Sequence, residues 1–294
     1  MTAAEEGVLL LCSRLGDPDS KPLTVPQFRE LGSRVRAAAM DGDPLRQLRA
    51  ADLQALGYDE MQTARILRLL DREATLHRYL QQAKELQILP LTRTSPDYPQ
   101  RIREKLGFSC PPVLFYRGDL SLLRKPSLAV VGSRRLLPEN EAFARDAGRF
   151  AAEQQLMLVS GGAIGADLTA QNACLSYGGG CVVFPADRLD RCRPHERVLY
   201  LSADGYDIPF SAPRALLRNN LIHTQGDRVI AAQCTYGSGG TWQGCLENLK
   251  HGWSDLFVFD DGSDAANALK ERGATGIIDL PSLDALKKEQ LSLF

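Results

Sequence analysis

Apolar side chains follow two different patterns along the chain, one before and one after residue 127. In residues 1–85 they recur every three or four positions, as in segments 27–40 and 60–80, with arginine and aspartate on the opposite face. This spacing predicts amphipathic helices. After residue 127, short and almost wholly apolar stretches alternate with helical ones, which is typical of parallel strands covered on both faces. We therefore expect a small all-helical domain followed by an α/β domain with a doubly wound, mostly parallel sheet.

The second pattern predicts a regular series of elements. Strands are expected at 128–131, 156–160, 181–184, 228–233, 256–259 and 276–280, and helices near 139–155, 165–176, 214–223, 241–251, 265–272 and 283–288. The segment after the third of these strands contains Pro185 and Pro194 and is predicted to be a loop. Residues 86–126 are rich in proline, with short extended pieces at 86–91 and 113–116.

Within the helical part, the stretch 53–58 forms a turn centred on Gly57 between two predicted helices. Helix-hairpin-helix modules use such a turn to aim backbone N–H groups at phosphate. A glycine that ends a helix explains the same residue equally well. Both interpretations stay open at the level of sequence.

Composition places the chain among globular proteins, with 44% apolar and 24% charged residues. The formal net charge of −1 excludes a uniformly basic coat for nucleic acid. The charge is unevenly distributed, because residues 86–200 contain 15 basic and 11 acidic side chains, whereas residues 251–294 contain 4 and 8. A local basic face in the middle of the chain is therefore compatible with the neutral total.

Seven cysteines occur without any CxxC spacing, so neither a zinc ribbon nor a thioredoxin motif is expected. Their odd number favours free thiols in a reducing compartment. Glu5 and Glu6 stand where a signal peptide needs positive charge, and no stretch approaches about 18 consecutive apolar residues. We expect a cytoplasmic protein with no membrane partner, no metal and no cofactor.

Three loops of small residues follow predicted strands, at the edge where parallel sheets bind ligands. The first contains Gly132, Ser133, Arg134 and Arg135, the second contains Ser160, Gly161, Gly162, Gly165 and Asp167, and the third contains Ser238, Gly239, Gly240 and Thr241. Glycines let backbone N–H groups approach an anion, and helix N-termini add positive dipoles. The loops therefore predict a phosphate-bearing ligand. They contain neither GxGxxG nor GxxxxGK[ST], so ordinary NAD and ATP sites are not expected.

Several ordered segments resemble the DNA-processing protein A family (DprA, also called Smf) of the SLOG superfamily. They are Pro111–Leu120, Leu128–Arg134, Ser160–Asp167 and the pair Arg218–Asn219. The resemblance implies a Rossmann-like domain, placed here at residues 86–286. It also implies a preceding helical domain, of the SAM-like or helix-hairpin-helix-like kind, at residues 1–85.

By this resemblance, the protein binds single-stranded DNA as a homodimer and has no catalytic residue. It would protect incoming strands and load the RecA recombinase during homologous recombination and natural transformation in competent cells. The three loops would form the phosphate pocket together with Arg218 and Asn219. Two positions depart from the family pattern, because Ile164 and Asn220 stand where members usually carry arginine. The family's frequent C-terminal winged helix is not expected here, since the α/β pattern continues nearly to residue 294.

The chain ends in the pentapeptide Gln290, Leu291, Ser292, Leu293 and Phe294. It matches QL[SD]LF, with which bacterial replication and repair proteins dock on the β sliding clamp. The apolar side chains would serve as anchors, and the glutamine amide would form hydrogen bonds. Residues 287–294 are therefore interpreted as a clamp-docking segment. The alternative is a helix end or strand that packs on the domain.

Two other functions use the same loops, namely a SLOG-type nucleotide sensor and a nucleotide phosphoribohydrolase similar to the LOG proteins. Those enzymes carry PGGxGTxxE, and the start of this pattern resembles residues 239–241. Glu247 follows Thr241 by six positions rather than three, which puts it out of register on a helix. Asp167 is a second candidate acid, although a carboxylate near a helix start is often only stabilising. His223 lies near the expected site and could bind phosphate or simply end a helix.

Overall fold

The computed structural model describes residues 1–38 and 44–280. The predicted helix 283–288 and the clamp-docking segment 287–294 lie outside the described residues. The chain forms two compact units. Of the described residues, the first unit comprises those within 1–117 together with 188–191 and 202–208, and the second comprises 118–187, 192–201 and 209–280. The expected boundary after residue 85, between a helical domain and a Rossmann-like domain, stays a prediction.

The first unit is mainly helical and contains one antiparallel pair of strands. Its helices are α1 (Ala3–Cys12), α2 (Val25–Ala37), α3 (Pro44–Gln47), α4 (Ala50–Ala55), α5 (Glu60–Leu70), α6 (Glu73–Glu85) and α7 (Gln100–Leu106). Its strands are β1 (Leu89–Thr92) and β2 (Val113–Arg117), which pair antiparallel. Helix α1 begins with a capping box, in which the backbone N–H of Glu5 donates to Thr2 Oγ1 at 3.2 Å. The apolar run Val8–Cys12 is fully buried and supplies part of the core of this unit.

The segment 60–80, whose spacing predicts helix, belongs to two helices, because α5 ends at Leu70 and α6 begins at Glu73. Arg72 lies at the break and donates to the carbonyl oxygen of Ser13 at 2.9 Å and to Ser20 Oγ at 2.8 Å. These hydrogen bonds join distant parts of the chain, so the periodicity of 60–80 does not reveal them. The three- and four-residue spacing of apolar positions continues through the break because both helices bury residues in the core of the first unit.

The turn at Gly57 is a helix C-terminus of the Schellman type. The backbone N–H of Tyr58 donates to the Leu53 carbonyl at 3.0 Å, and that of Gly57 donates to Gln54 at 2.9 Å. Gly57 has φ of +83°, a conformation that favours glycine. The turn's donors are thus used within the chain, which supports the cap interpretation over phosphate binding.

The second unit alternates strands and helices. Its strands are β3 (Ser127–Val131), β4 (Met157–Ser160), β5 (Cys181–Val183), most of β6 (Val198–Ala203), β7 (Arg228–Ala231), β8 (Asp255–Phe259) and β9 (Thr275–Ile277). Its helices are α8 (Pro138–Glu153), α9 (Ala166–Ser176), α10 (Ala212–Gln225), α11 (Gly239–His251) and α12 (Asp264–Glu271). These strands pair in parallel in the order β6-β5-β4-β3-β7-β8-β9. The expected α/β class with a mostly parallel sheet is confirmed.

The loop predicted between β5 and α10 is wrong in one respect, because it contains β6. This strand pairs with β5, with Val198 opposite Cys181 and Tyr200 opposite Val183. The prolines and arginines that precede β6 hide its short apolar run in the sequence. Its identity as a strand depends on pairing with a neighbour that is distant along the chain.

The order of the strands reverses between β3 and β7. From β3 the chain proceeds outward through β4, β5 and β6, and it then returns to the other side of β3 to form β7. The loops that follow β3 and β7 therefore diverge and leave a crevice at the carboxyl end of the sheet, where open α/β sheets bind their ligands. Helices α8 and α9 pack together, as do α10 and α11.

Over residues 1–38 and 44–280, no helix has the length and apolar character needed to cross a membrane. In the same ranges, no three histidine, cysteine, aspartate or glutamate side chains are grouped as a metal site requires.

Candidate phosphate-binding site

The crevice between the loops after β3 and β7 is an open cavity of about 310 Å³, called here the loop cavity. Ten predicted site residues line it, namely Gly132, Ser133, Arg134, Asp167, Arg218, Asn219, Ser238, Gly239, Gly240 and Thr241. The other five, Arg135, Ser160, Gly161, Gly162 and Gly165, belong to the same loops but are not part of its wall. The volume is at the lower end of the range for ligand pockets, which suits a phosphate and part of its sugar.

The loop after β3 is fixed by backbone hydrogen bonds on both sides. The N–H of Ser133 donates to the Gln233 carbonyl at 2.9 Å, and the Ser133 carbonyl accepts from the Ala166 N–H at 3.1 Å. Gly165 precedes α9 with φ of +90°, and a Cβ there would lie 2.2 Å from the Ser133 carbonyl oxygen. Only glycine allows this approach, so the first two loops are held together by their main chains.

Asp167 and Arg218 form a buried pair at the back of the loop cavity. Asp167 Oδ2 accepts from the backbone N–H of Gly161 at 3.1 Å and of Ala163 at 3.3 Å. It also lies 3.5 Å from Arg218 Nη1. Burial raises the pKa of Asp167, while Arg218 opposes that rise. Burial likewise lowers the pKa of Arg218, against the attraction of Asp167. The carboxylate is thus engaged in holding the second loop and the arginine.

Arg134 is the exposed cation of the site. Its guanidinium carbon lies 5.8 Å from the ring centroid of Phe210, a cation–π distance. Among the described residues, no carboxylate lies within ion-pair distance of Arg134. Asp167 compensates Arg218, so the formal positive charge that remains for a ligand comes from Arg134.

The third loop presents the N-terminus of α11 to the cavity. Ser238 occupies the cap position, but its side chain makes no capping hydrogen bond. Gly239 follows with φ of +85°. Asn219 Nδ2 donates to the Gly240 carbonyl at 2.9 Å, and Thr241 Oγ1 donates to the Gly132 carbonyl at 3.1 Å. These bonds connect α10 to α11 and α11 to the first loop, and the N-terminus of α11, without a side-chain cap, lies at the cavity.

His223, which the sequence places near the expected site, belongs to the wall of the cavity. The side chain is 1% exposed, and its Nδ1 has no hydrogen-bond partner among the described residues. Burial lowers its pKa to about 3, so the imidazole is neutral at physiological pH. His223 follows Asn219 by four positions on α10, and residues at this spacing share one face of a helix. This spacing is the signal in the sequence that places His223 beside Asn219. Val131, Ala163, Ala215, Cys234 and Thr235 complete the wall.

Glu247, the acid weighed for an enzymatic role, is not part of the cavity wall. It pairs with His251 at 3.3 Å and with Lys250 at 3.9 Å on the surface of α11. Asp167 is the carboxylate that lines the cavity within the described residues. The cavity wall thus combines an exposed arginine with the N-terminus of α11, which has no side-chain cap, and both features attract anions.

Comparison with known proteins identifies the family of this chain. Residues 90–279 match the family model described as DNA recombination-mediator protein A. The chain is 34% identical over 211 residues to DNA processing protein DprA of Streptococcus pneumoniae, covering 65% of this chain and 72% of that protein.

Two solved structures are similar as well. The X-ray structure of DprA from Streptococcus pneumoniae has a TM-score of 0.72 at 24% identity and 95% coverage of both chains. A structure of DprA from Helicobacter pylori, described for its single-stranded DNA binding mode, has a TM-score of 0.59 at 27% identity, covering 69% of this chain and 97% of that one. The chain therefore belongs to the DNA recombination-mediator protein A family, and it is a DNA-processing protein of recombination.

Proposed function

We propose that this protein binds the backbone of single-stranded DNA in the loop cavity and acts as a mediator of recombination without catalysing a reaction. The observation that carries the proposal is the charge arrangement of the cavity. Arg134 is exposed without a carboxylate partner in the described residues, while Asp167 is occupied by Arg218 and two backbone donors. The single-stranded DNA binding of the Helicobacter pylori relative supports the same ligand.

A titration of fluorescent oligothymidylate, followed by anisotropy at several salt concentrations, tests the ligand. Arg134→Ala should lower affinity and reduce the salt slope by about 0.7, the contribution of one single-strand phosphate contact. Arg145→Ala is a matched control, since Arg145 pairs with Glu141 on an exposed face. Tight binding of a mononucleotide by calorimetry, without DNA affinity, would instead support the nucleotide sensor. Release of a nucleobase from a monophosphate would support the phosphoribohydrolase.

We propose further that the protein works as a homodimer in the cytoplasm, protects single strands and loads RecA, as the family resemblance implies. Light scattering behind a sizing column measures the oligomeric state. RecA filament formation on strands coated by single-strand binding protein, with and without this chain, measures loading. No acceleration by the wild-type protein would contradict the loading role.

The terminal residues 290–294 are proposed to dock on the β sliding clamp, and natural transformation or repair would be the process served. Their sequence is the support for this, since they lie outside the described residues. Surface plasmon resonance with the full chain and a chain lacking 290–294 tests it. Equal clamp affinity of the two chains would exclude this docking mode.

A further inference from the structure

Two exposed aromatic rings lie beside the loop cavity. Phe210 is 50% exposed and lies against Arg134 at the cavity wall. Tyr236 is 56% exposed and directly follows Thr235, which lines the cavity. Single exposed apolar side chains are ordinary on protein surfaces, but a group of them around one cavity marks a binding surface.

Two aliphatic side chains extend the same surface. Ile164 is 65% exposed next to Ala163, and Leu216 is 49% exposed next to Ala215. Both alanines line the cavity. These exposed apolar side chains are sequence neighbours of lining residues or, in the case of Phe210, lie near Arg134, and they add to the edge of the cavity an apolar component that a ligand consisting of phosphate alone does not require.

Both rings are held in place by the fold. Tyr236 packs edge-on against Trp242 with ring centroids 5.2 Å apart, and Trp242 is buried at 4% exposure. The backbone N–H of Phe210 donates to Asp187 Oδ1 at 3.1 Å, which fixes the main chain from which the ring projects, and the guanidinium of Arg134 lies over the ring. A fixed ring loses little conformational freedom when a base stacks on it.

We propose that Phe210 and Tyr236 stack on the nucleobases that flank a phosphate held in the loop cavity. In a duplex the bases are paired and stacked on each other, whereas in a single strand their faces are available to aromatic side chains. The two rings thereby select single-stranded DNA over duplex DNA, inorganic phosphate and mononucleotides. This inference rests on the proposed binding of single-stranded DNA and adds how the strand is recognised.

Abasic oligonucleotides separate stacking from phosphate contacts. Anisotropy would compare a 15-residue oligothymidylate with an abasic strand of equal length, using Phe210→Leu and Tyr236→Leu, which keep an apolar side chain but remove the ring. Each variant should bind oligothymidylate about fivefold to tenfold more weakly, within the range known for base–aromatic stacking. Each should match wild type on the abasic strand, while Arg134→Ala weakens both. Tyr177→Leu, at a 58% exposed tyrosine outside the cavity wall, is the matched control.

A second readout does not depend on affinity. A 2-aminopurine base in the strand should be quenched on binding to wild type and remain bright with the leucine variants at saturation. Wild-type affinity of both variants for oligothymidylate, or equal weakening on the abasic strand, would overturn the stacking proposal while leaving the Arg134 result intact. Failure of wild type to bind either strand would instead reject the proposed function and the stacking together.

Discussion

Arg218 and Asp167 lie side by side behind the loop cavity, with Nη1 of the arginine 3.5 Å from Oδ2 of the aspartate and side-chain exposures of 13% and 6%. Each partner is removed from water, and burial opposes the charge of both. The pair is therefore more important for positioning the second loop than for attracting a ligand. It fixes the second loop against α10, while Arg134 supplies the accessible charge.

Replacing one partner of this pair should destabilise the free protein. We expect Asp167→Asn to lower the free energy of unfolding by about 3 kcal/mol, because a buried guanidinium loses its counter-charge. Urea denaturation measures the loss. The exposed pair formed by Glu141 and Arg145 offers the control Glu141→Gln, for which about 0.5 kcal/mol or less is expected.

The same variant should gain more stability from DNA than wild type does. A bound phosphate can take the place of the missing carboxylate beside Arg218, so oligothymidylate should raise the melting temperature of Asp167→Asn by a larger increment. An increment equal to that of wild type would show that Arg218 does not meet the ligand.

Alanine substitutions at two glycines of the second loop should have different effects on stability and DNA binding. A Cβ on Gly161 would lie 1.8 Å from Arg218 Nη1, at the end of a long side chain, whereas one on Gly165 would meet the Ser133 carbonyl at 2.2 Å. Gly161→Ala should displace the guanidinium and weaken DNA binding about tenfold while the fold persists. Gly165→Ala should destabilise the protein by about 2 kcal/mol or more, since it adds backbone strain to a main-chain clash. Anisotropy and thermal unfolding of both variants distinguish these effects; the reverse pattern would contradict them.

His223 should make the protein sensitive to mild acid. Its pKa falls from 6.5 to about 3 on folding because the neutral imidazole is buried. The unfolded chain therefore binds more protons between these values, and stability is lost as the pH falls below 6.5. Between pH 7 and 5.5 this group should cost about 1 kcal/mol.

The variant His223→Gln should lose this component of the acid sensitivity. Urea denaturation at both pH values measures the difference. His251→Gln changes an exposed histidine that pairs with Glu247 and is the control. An unchanged pH dependence in His223→Gln would show that the imidazole is protonated in the folded state or accessible to water.

A substitution at Gly57 tests the stability of the first, mainly helical unit separately from the loop cavity. Its φ of +83° closes the Schellman motif, so Gly57→Ala should destabilise the protein by about 1 kcal/mol. Affinity for oligothymidylate should stay at the wild-type level, because the donors of this turn are used within the chain. Loss of DNA affinity without loss of stability would revive the helix-hairpin-helix interpretation.

The sequence was most informative where local pattern and fold agree. Buried parallel strands such as Leu128–Val131 are apolar throughout, and small residues after them mark the binding edge, so β3 and its loop were predictable. Strand β6 was not, because its short run is defined by pairing with β5. The break at Arg72 was hidden for a similar reason, since the hydrogen bonds that Arg72 makes there reach Ser13 and Ser20, which are distant along the chain.

The aromatic rim was also beyond the reach of sequence patterns. Phe210 lies 76 positions from Arg134, from the difference of their residue numbers, and no spacing rule connects them. Their contact arises because the chain approaches the first loop just before α10. His223, by contrast, follows Asn219 by four positions, and the sequence already places it near the site.

The main-chain bonds that join Ser133 to Gln233 and to Ala166 are made between segments of the fold itself. The loops thus require no ordering when a strand arrives, and the entropy of arranging them was already lost during folding. The association rate should depend on the charge of the site and on the salt concentration, whereas differences between variants should appear in the dissociation rates. The lifetime of the bound strand is then the kinetic quantity that evolution of the cavity walls would tune.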